Sequence, residues 1–178
     1  MDNGSELYRR FLDGDDEGLV GIIRDYKDGL ILYIYGIVGN IQDAEALAED
    51  TFVRIAVRRP KDRGKASFRT WLYTIGRNIA LDHLRKRKRN GTVPLESLPE
   101  TEDGLRELEE SYLRKEKRAV INCAMEKLKP EYRQVLWLAY FEGFSLRDTA
   151  KLMGKSVHAA ETLAWRARQS LKKLLEEE

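Results

Sequence analysis

Apolar residues return at steps of three and four along most of this chain, the spacing that lines one face of an α-helix. The longest run is Leu19, Ile22, Ile23, Tyr26, Leu30, Tyr33 and Ile37. It predicts a long helix, opened by Asp15 and Asp16, whose carboxylates suit free N–H groups and the helix dipole, and ended by Gly39 and Asn40. A short helix precedes it over Leu7, Tyr8, Phe11 and Leu12, with Gly14 as the break. A third opens at Asp43 and carries Ala44, Leu47, Ala48, Phe52 and Ile55 on one stripe until Pro60 stops it. Residues 60–67 form a polar, basic loop. Ser67 then caps a fourth helix, in which Phe68, Leu72, Ile75 and Ile79 face inward while Trp71, Thr74, Asn78, Asp82 and Arg85 face elsewhere.

Asn90 and Gly91 end this first domain. Pro94, Pro99 and Gly104 then fall among acids, the composition of an extended linker. A further helix runs to about Leu128, Pro130 starts the next, and Leu136, Leu138, Ala139 and Tyr140 lead to a stop at Gly143. Four prolines and thirteen glycines in 178 residues argue against a turn-rich β fold, and 42% hydrophobic residues suffice for a packed core. The expected architecture is all-α: two small helical domains, residues 1–90 and 111–178, joined by a flexible acidic linker over 91–110.

The last segment has a recognisable pattern. Ser145 and Asp148 are spaced as a capping box, and Leu146, Ala150, Leu152 and Met153 give a brief apolar face. Gly154 supplies a tight turn. Ser156 caps a longer helix with Ala160, Leu163, Ala164, Ala167, Leu171 and Leu174 as its buried stripe. Short helix, glycine turn and longer helix is the order of a helix-turn-helix, although a hairpin that merely packs has the same pattern. Thr162, Trp165, Arg166, Gln169 and Lys173 lie on the outer side. There Arg166 can fork to guanine or phosphate, Thr162 can bond a base edge, and Trp165 offers apolar contact.

The net charge of +2 conceals alternating blocks. Residues 1–50 carry 12 acids and 4 bases, and residues 54–89 carry 13 bases and 2 acids. Residues 96–116 carry 8 acids and 3 bases, and residues 145–173 carry 7 bases and 2 acids. Two basic blocks around an acidic connector suggest two docking places for a polyanion. Solvated helix faces are the plainer reading, which suits the second block as well as the first reading does. Five consecutive cations at 85–89 favour nucleic acid for the first. Residues 67–89 also combine rings (Phe68, Trp71, Tyr73), polar side chains (Thr74, Asn78) and a basic tail, the means by which melted strands are held. Trp71 and Tyr73 are equally compatible with the core.

Other chemistries have little to stand on. Two histidines, His83 and His158, and one cysteine, Cys123, offer no zinc-spaced cluster, so no metal and no cofactor is expected. No phosphate loop or nucleophile elbow is present, and no enzymatic activity is expected. One cysteine precludes an internal disulfide. The N-terminus lacks a signal pattern and no apolar run approaches a bilayer's width, so a cytoplasmic chain without membrane insertion is expected.

Three stretches together resemble an extracytoplasmic-function (ECF, group 4) sigma factor of the sigma-70 family. Residues 43–52, DAEALAEDTF, resemble the "DAEDLVQETF" segment of region 2. Residues 68–85, FRTWLYTIGRNIALDHLR, resemble its "F..WL..IARN.A.D..R" segment. Residues 128–133, 141–145 and 165–168 resemble parts of region 4. The resemblance implies a sigma region 2 bundle, a region 4 helix-turn-helix, and a linker that threads toward the RNA exit path. It implies core polymerase as partner, through the β′ clamp helices and β flap, with Asp43, Glu45, Leu47, Glu49, Asp50 and Phe52 as the polymerase-binding residues. Arg63, Lys65, Ser67, Arg69, Trp71, Thr74, Arg77, Asn78 and Arg85 would engage the −10 promoter element. Ser156, His158, Thr162, Trp165, Arg166 and Gln169 would engage the −35 element. An anti-sigma factor would control the chain.

This chain departs from the pattern in places. Glu161 and Leu163 stand where the family has DNA-facing cations, and Glu161 would repel phosphate. Thr149 replaces a usual buried Ile or Val, and Asp50 stands where Gln or Glu is common. With no long extension after region 4, regulation by a fused domain is not expected. A stand-alone helix-turn-helix regulator is the main alternative, but it leaves the basic block at 54–89 unexplained. A scaffold that uses the acidic helix and the basic run is the other.

Overall fold

The structure, a computed structural model, describes residues 3–61, 66–89 and 117–176, which are helical with short turns and contain no strand. They fall into two compact units, one on each side of residues 90–116. The expected acidic linker lies outside the described residues.

The first unit holds α1 (Asn3–Leu12), α2 (Glu17–Val38), α3 (Ile41–Arg58) and α4 (Phe68–Arg89). The most apolar helix, α2, is its centre and packs against the other three. Ile22, Leu30, Ile31, Tyr33 and Ile34 of α2 are buried with Phe52 and Ile55 of α3 and with Phe68, Leu72 and Tyr73 of α4. Burying side chains of this size contributes roughly 1.5–3 kcal/mol each, the main force closing the bundle. Two glycines set the approach distances. A Cβ on Gly18 would strike the Leu7 carbonyl oxygen and the Phe11 nitrogen, so α1 crosses α2 backbone to backbone. A Cβ on Gly76 would lie 2.9 Å from Leu30 Cδ1, where α4 crosses α2.

The helix ends follow the sequence signals with one shift. Asp16 is the N-cap of α2 without a side-chain bond, and Asp15 before it accepts from the Glu17 N–H at 3.1 Å. Asn40, rather than Asp43, opens α3: its side chain accepts from the Asp43 N–H at 2.8 Å. Gly39 closes α2 in the left-handed region at φ 73°. Ser67 caps α4 through the Thr70 N–H at 3.2 Å.

The second unit holds α5 (Lys117–Glu126), α6 (Pro130–Leu136), α7 (Leu146–Leu152) and α8 (Val157–Glu176). A π-helical turn over Trp137–Phe141 continues α6. Helix α8 is the spine and packs against α5, α6 and α7. Its Ala164 and Ala167 share a core with Met125, Leu128, Val135 and Leu136. Ala150 and Ala160 are both buried, as expected of small residues where α7 meets α8. Gly154 makes the turn at φ 64°, and Ser156 caps α8 through the Ala159 N–H at 3.2 Å. The Ser145 hydroxyl accepts from the Asp148 N–H, the forward bond of the expected capping box, and the Asp148 carboxylate accepts in return from that hydroxyl. The expected apolar face of α7 is narrower, because Leu146 is exposed.

Thr149 is fully buried in α7, and its Oγ1 makes no hydrogen bond. A buried hydroxyl without a partner keeps its desolvation penalty. Thr149→Val preserves the shape and removes that cost. It is expected to stabilise the second unit by about 1 kcal/mol, read as a higher midpoint in chemical denaturation.

Candidate nucleic-acid interface

Helix α3 divides its residues sharply. Glu45, Glu49, Val53 and Val57 follow one another at four-residue steps, and all four are exposed. Val53 and Val57 are 57% and 75% exposed, unusual for valines on a well-packed helix. Asp50 is exposed beside them. A groove of about 420 Å³ runs alongside, with Leu47 and Ile79 among its lining and Asp50, Arg54, Arg58, Asp82 and Lys86 as its charged groups.

Three of the expected polymerase-binding residues sit differently. Leu47 and Phe52 are only 6% and 5% exposed, because the helical period turns them into the bundle. Their side chains mainly hold the unit together, and Leu47 reaches the surface only as part of the groove lining. Asp43 is half-buried and engaged at home. It accepts from Arg87 at 3.1 Å and lies 3.5 Å from His83 Nε2. This ion pair ties the start of α3 to the end of α4. Arg87 is thereby taken out of the five-cation run, whose remaining members Arg85, Lys86, Lys88 and Arg89 are exposed.

On α4, Trp71, Thr74 and Asn78 share a stripe at three- and four-residue steps, and Arg85 continues it two turns further on. Asn78 and Arg85 are exposed, and Arg85 pairs with Asp82 at 2.7 Å. Thr74 is half-buried and donates to the Thr70 carbonyl at 2.6 Å. Trp71 is half-buried, its ring against Tyr8 at 5.1 Å and Phe68 at 5.4 Å. One part of that indole is core and the rest is accessible. Arg69 and Arg77 turn to another side. The Arg69 guanidinium lies 5.8 Å from the Tyr73 ring centre. The Arg77 charge acts on Tyr33, although burial outweighs it and pushes the Tyr33 hydroxyl above its usual range. Tyr73 is core, packed on Tyr33 at 5.2 Å. Ser67 is exposed at the head of the helix, and Arg63 and Lys65 lie outside the described residues.

In the second unit, Ser156, His158, Trp165, Arg166 and Gln169 are all exposed, and Thr162 is half-buried with its hydroxyl on the His158 carbonyl at 3.0 Å. These residues occupy the outward side of α8. Trp165 is 57% exposed. Glu161 is exposed on the same helix, whereas Leu163 packs against the core cluster. The departure from the family's cations therefore reaches this outward side through Glu161 alone. Arg168 stacks over the exposed Tyr140 ring at 5.9 Å, a cationic and aromatic contact that sequence reasoning did not single out. Among the described residues, no three His, Cys, Asp or Glu side chains converge to hold a metal ion.

Two family models match the chain: Sigma-70 region 2 over residues 22–90 and Sigma-70 region 4 over residues 118–171. The chain belongs to the sigma-70 family. Within that family it is an ECF sigma factor. It is 32% identical over 173 residues to the ECF RNA polymerase sigma factor BldN of Streptomyces coelicolor, covering 96% of this chain and 65% of that protein. It is 29% identical over 171 residues to the ECF RNA polymerase sigma factor SigW of Bacillus subtilis, covering 91% of each. The fold is also that of the sigma factor RpoE of Bartonella quintana, solved with the anti-sigma factor NepR. That likeness has TM-score 0.67 and 22% identity, over 88% of this chain and 95% of that one.

In this sigma-70 chain both α3 and α4 fall within the region 2 match, and the region 4 match takes in the helix-turn-helix up to residue 171. Helix α1 lies outside both. No described helix is long and apolar enough to cross a membrane.

Proposed function

We propose that this chain is an alternative sigma factor that seats on core RNA polymerase, recognises −10 and −35 promoter elements and starts transcription, without catalysing a reaction itself. The observation that carries this reading is the division of the first unit's surface between two helices. Helix α3 shows acids and two bare valines, and α4 shows an amide, part of an indole and a row of cations. The first suits a protein partner and the second suits a melted DNA strand.

Residues 1–90 serve core and −10 binding, 91–110 connect, and 111–178 serve −35 binding. The polymerase surface is revised to Glu45, Glu49, Asp50, Val53 and Val57, which meet the β′ clamp helices; the β flap is the expected contact of the second unit. Trp71, Thr74, Asn78 and Arg85 form the −10 stripe, entered from Ser67 and from Arg63 and Lys65. Arg69 and Arg77 contribute charge from the adjoining side. Ser156, His158, Thr162, Trp165, Arg166 and Gln169 read the −35 element, with Glu161 weakening phosphate attraction or accepting from cytosine N4. The chain acts in the cytoplasm under an anti-sigma factor, a partner of the kind that the RpoE relative was solved with.

Asn78→Ala tests the −10 assignment. Asn78 is exposed and its removal leaves no cavity. The variant is expected to bind core polymerase as tightly as the parent chain and to form open complexes roughly 5- to 150-fold less well, the 1–3 kcal/mol of a base-edge contact. Permanganate footprinting of the melted strand reads the second quantity, and a pull-down reads the first. Equal loss of both would make Asn78 structural.

A further inference from the structure

Tyr8 stands in α1, outside the span that matches region 2, and is 2% exposed. Its side chain touches both ends of the connection between α3 and α4. At the entry, the Tyr8 hydroxyl donates to the Pro60 carbonyl oxygen at 2.7 Å, across 52 residues of sequence. At the exit, its ring packs on Phe68 at 5.6 Å and on Trp71 at 5.1 Å. A second contact from the same helix reinforces the entry. The Arg59 guanidinium lies over the Phe11 ring at 4.9 Å, and Arg59 holds a left-handed backbone at φ 42°. A non-glycine residue in that conformation persists where its surroundings fix it.

The geometry points to Tyr8 as a positioning residue for the −10 strand, which clamps the two stems of the α3–α4 connection at a set separation. This inference rests on the reading that α4 and the connection before it hold that strand. Tyr8 does not touch DNA. It acts through the Pro60 carbonyl and through Trp71, whose accessible part belongs to the −10 stripe. Pre-set stems remove ordering cost from strand capture, so loosening them lowers affinity without removing any DNA contact.

Tyr8→Phe separates the hydrogen bond from the ring packing. It keeps the ring packing on Phe68 and Trp71 and removes the hydroxyl that reaches the Pro60 carbonyl. The full chain, bound to core polymerase, is presented with a pool of fork-junction DNA randomised across the single-stranded −10 positions. The strand most enriched by the parent holoenzyme is then the probe. The variant is expected to bind that strand about three- to tenfold more weakly, the range of one lost hydrogen bond, and to enrich a flatter sequence pattern. Its affinity for core polymerase is expected to be unchanged. Unchanged strand affinity would overturn the inference and leave the sigma-factor reading standing. An equal loss of core binding would overturn it by making Tyr8 a general prop of the fold. A parent holoenzyme that enriches no strand would overturn the −10 reading and this inference with it.

Discussion

Phe52→Ala is expected to destabilise the first unit by about 3–5 kcal/mol, the cost of emptying a large aromatic site in a packed interior. Phe52 is 5% exposed and lies on the buried stripe of α3 with Leu47, Ala48 and Ile55. Small domains are stable by only about 5–15 kcal/mol, so the loss is a large share of the total. A fall of roughly 15–30 °C in that unit's melting midpoint follows for a bundle of this size. Calorimetry of the full chain reads it as an early transition. The polymerase-binding defect of this variant should grow with temperature in step with unfolding. A weak polymerase binder that melted like the parent chain would restore Phe52 to the interface.

Val53→Asp is the converse. Val53 is 57% exposed and lies off the buried stripe, so melting is expected to stay within about 0.5 kcal/mol of the parent chain's stability. Binding to core polymerase is expected to weaken by about 2–4 kcal/mol, or roughly 30- to 1000-fold. A carboxylate forced into an apolar contact must lose its water without gaining a partner. The four-residue spacing from Glu49 to Val53 to Val57 makes this one face, so Val57→Asp should act in the same sense. Normal core binding by both variants would place the polymerase elsewhere. Phe52 and Val53 are adjacent in sequence, and the two substitutions should fail in opposite ways.

That contrast also measures how much was legible in the sequence. Helical spacing identified the stripe Ala44, Leu47, Ala48, Phe52 and Ile55 as buried, and all five are. Assigning the whole DAEALAEDTF segment to a partner surface overrode that period and drew Leu47 and Phe52 into the interface. A segment match does not distinguish the two faces of a helix, whereas the period does. Leu163 repeats the lesson, since its place on the stripe of α8 already excluded it from the DNA side. Caps and turns at Gly39, Ser67, Ser145, Gly154 and Ser156 were readable because their cause is local. The Arg87–Asp43 pair spans 44 residues and the Tyr8–Pro60 bond spans 52. Neither has a local signature, so a charge run looked free for DNA and nothing in the sequence tied α1 to the α3–α4 connection.

The most direct test is transcription by purified core polymerase from promoter fragments, with and without this chain. Discrete transcripts that start at one position are expected when the chain is present, and they should vanish in its absence and with Val53→Asp. Core polymerase that starts no more selectively with the chain than without it would contradict the account.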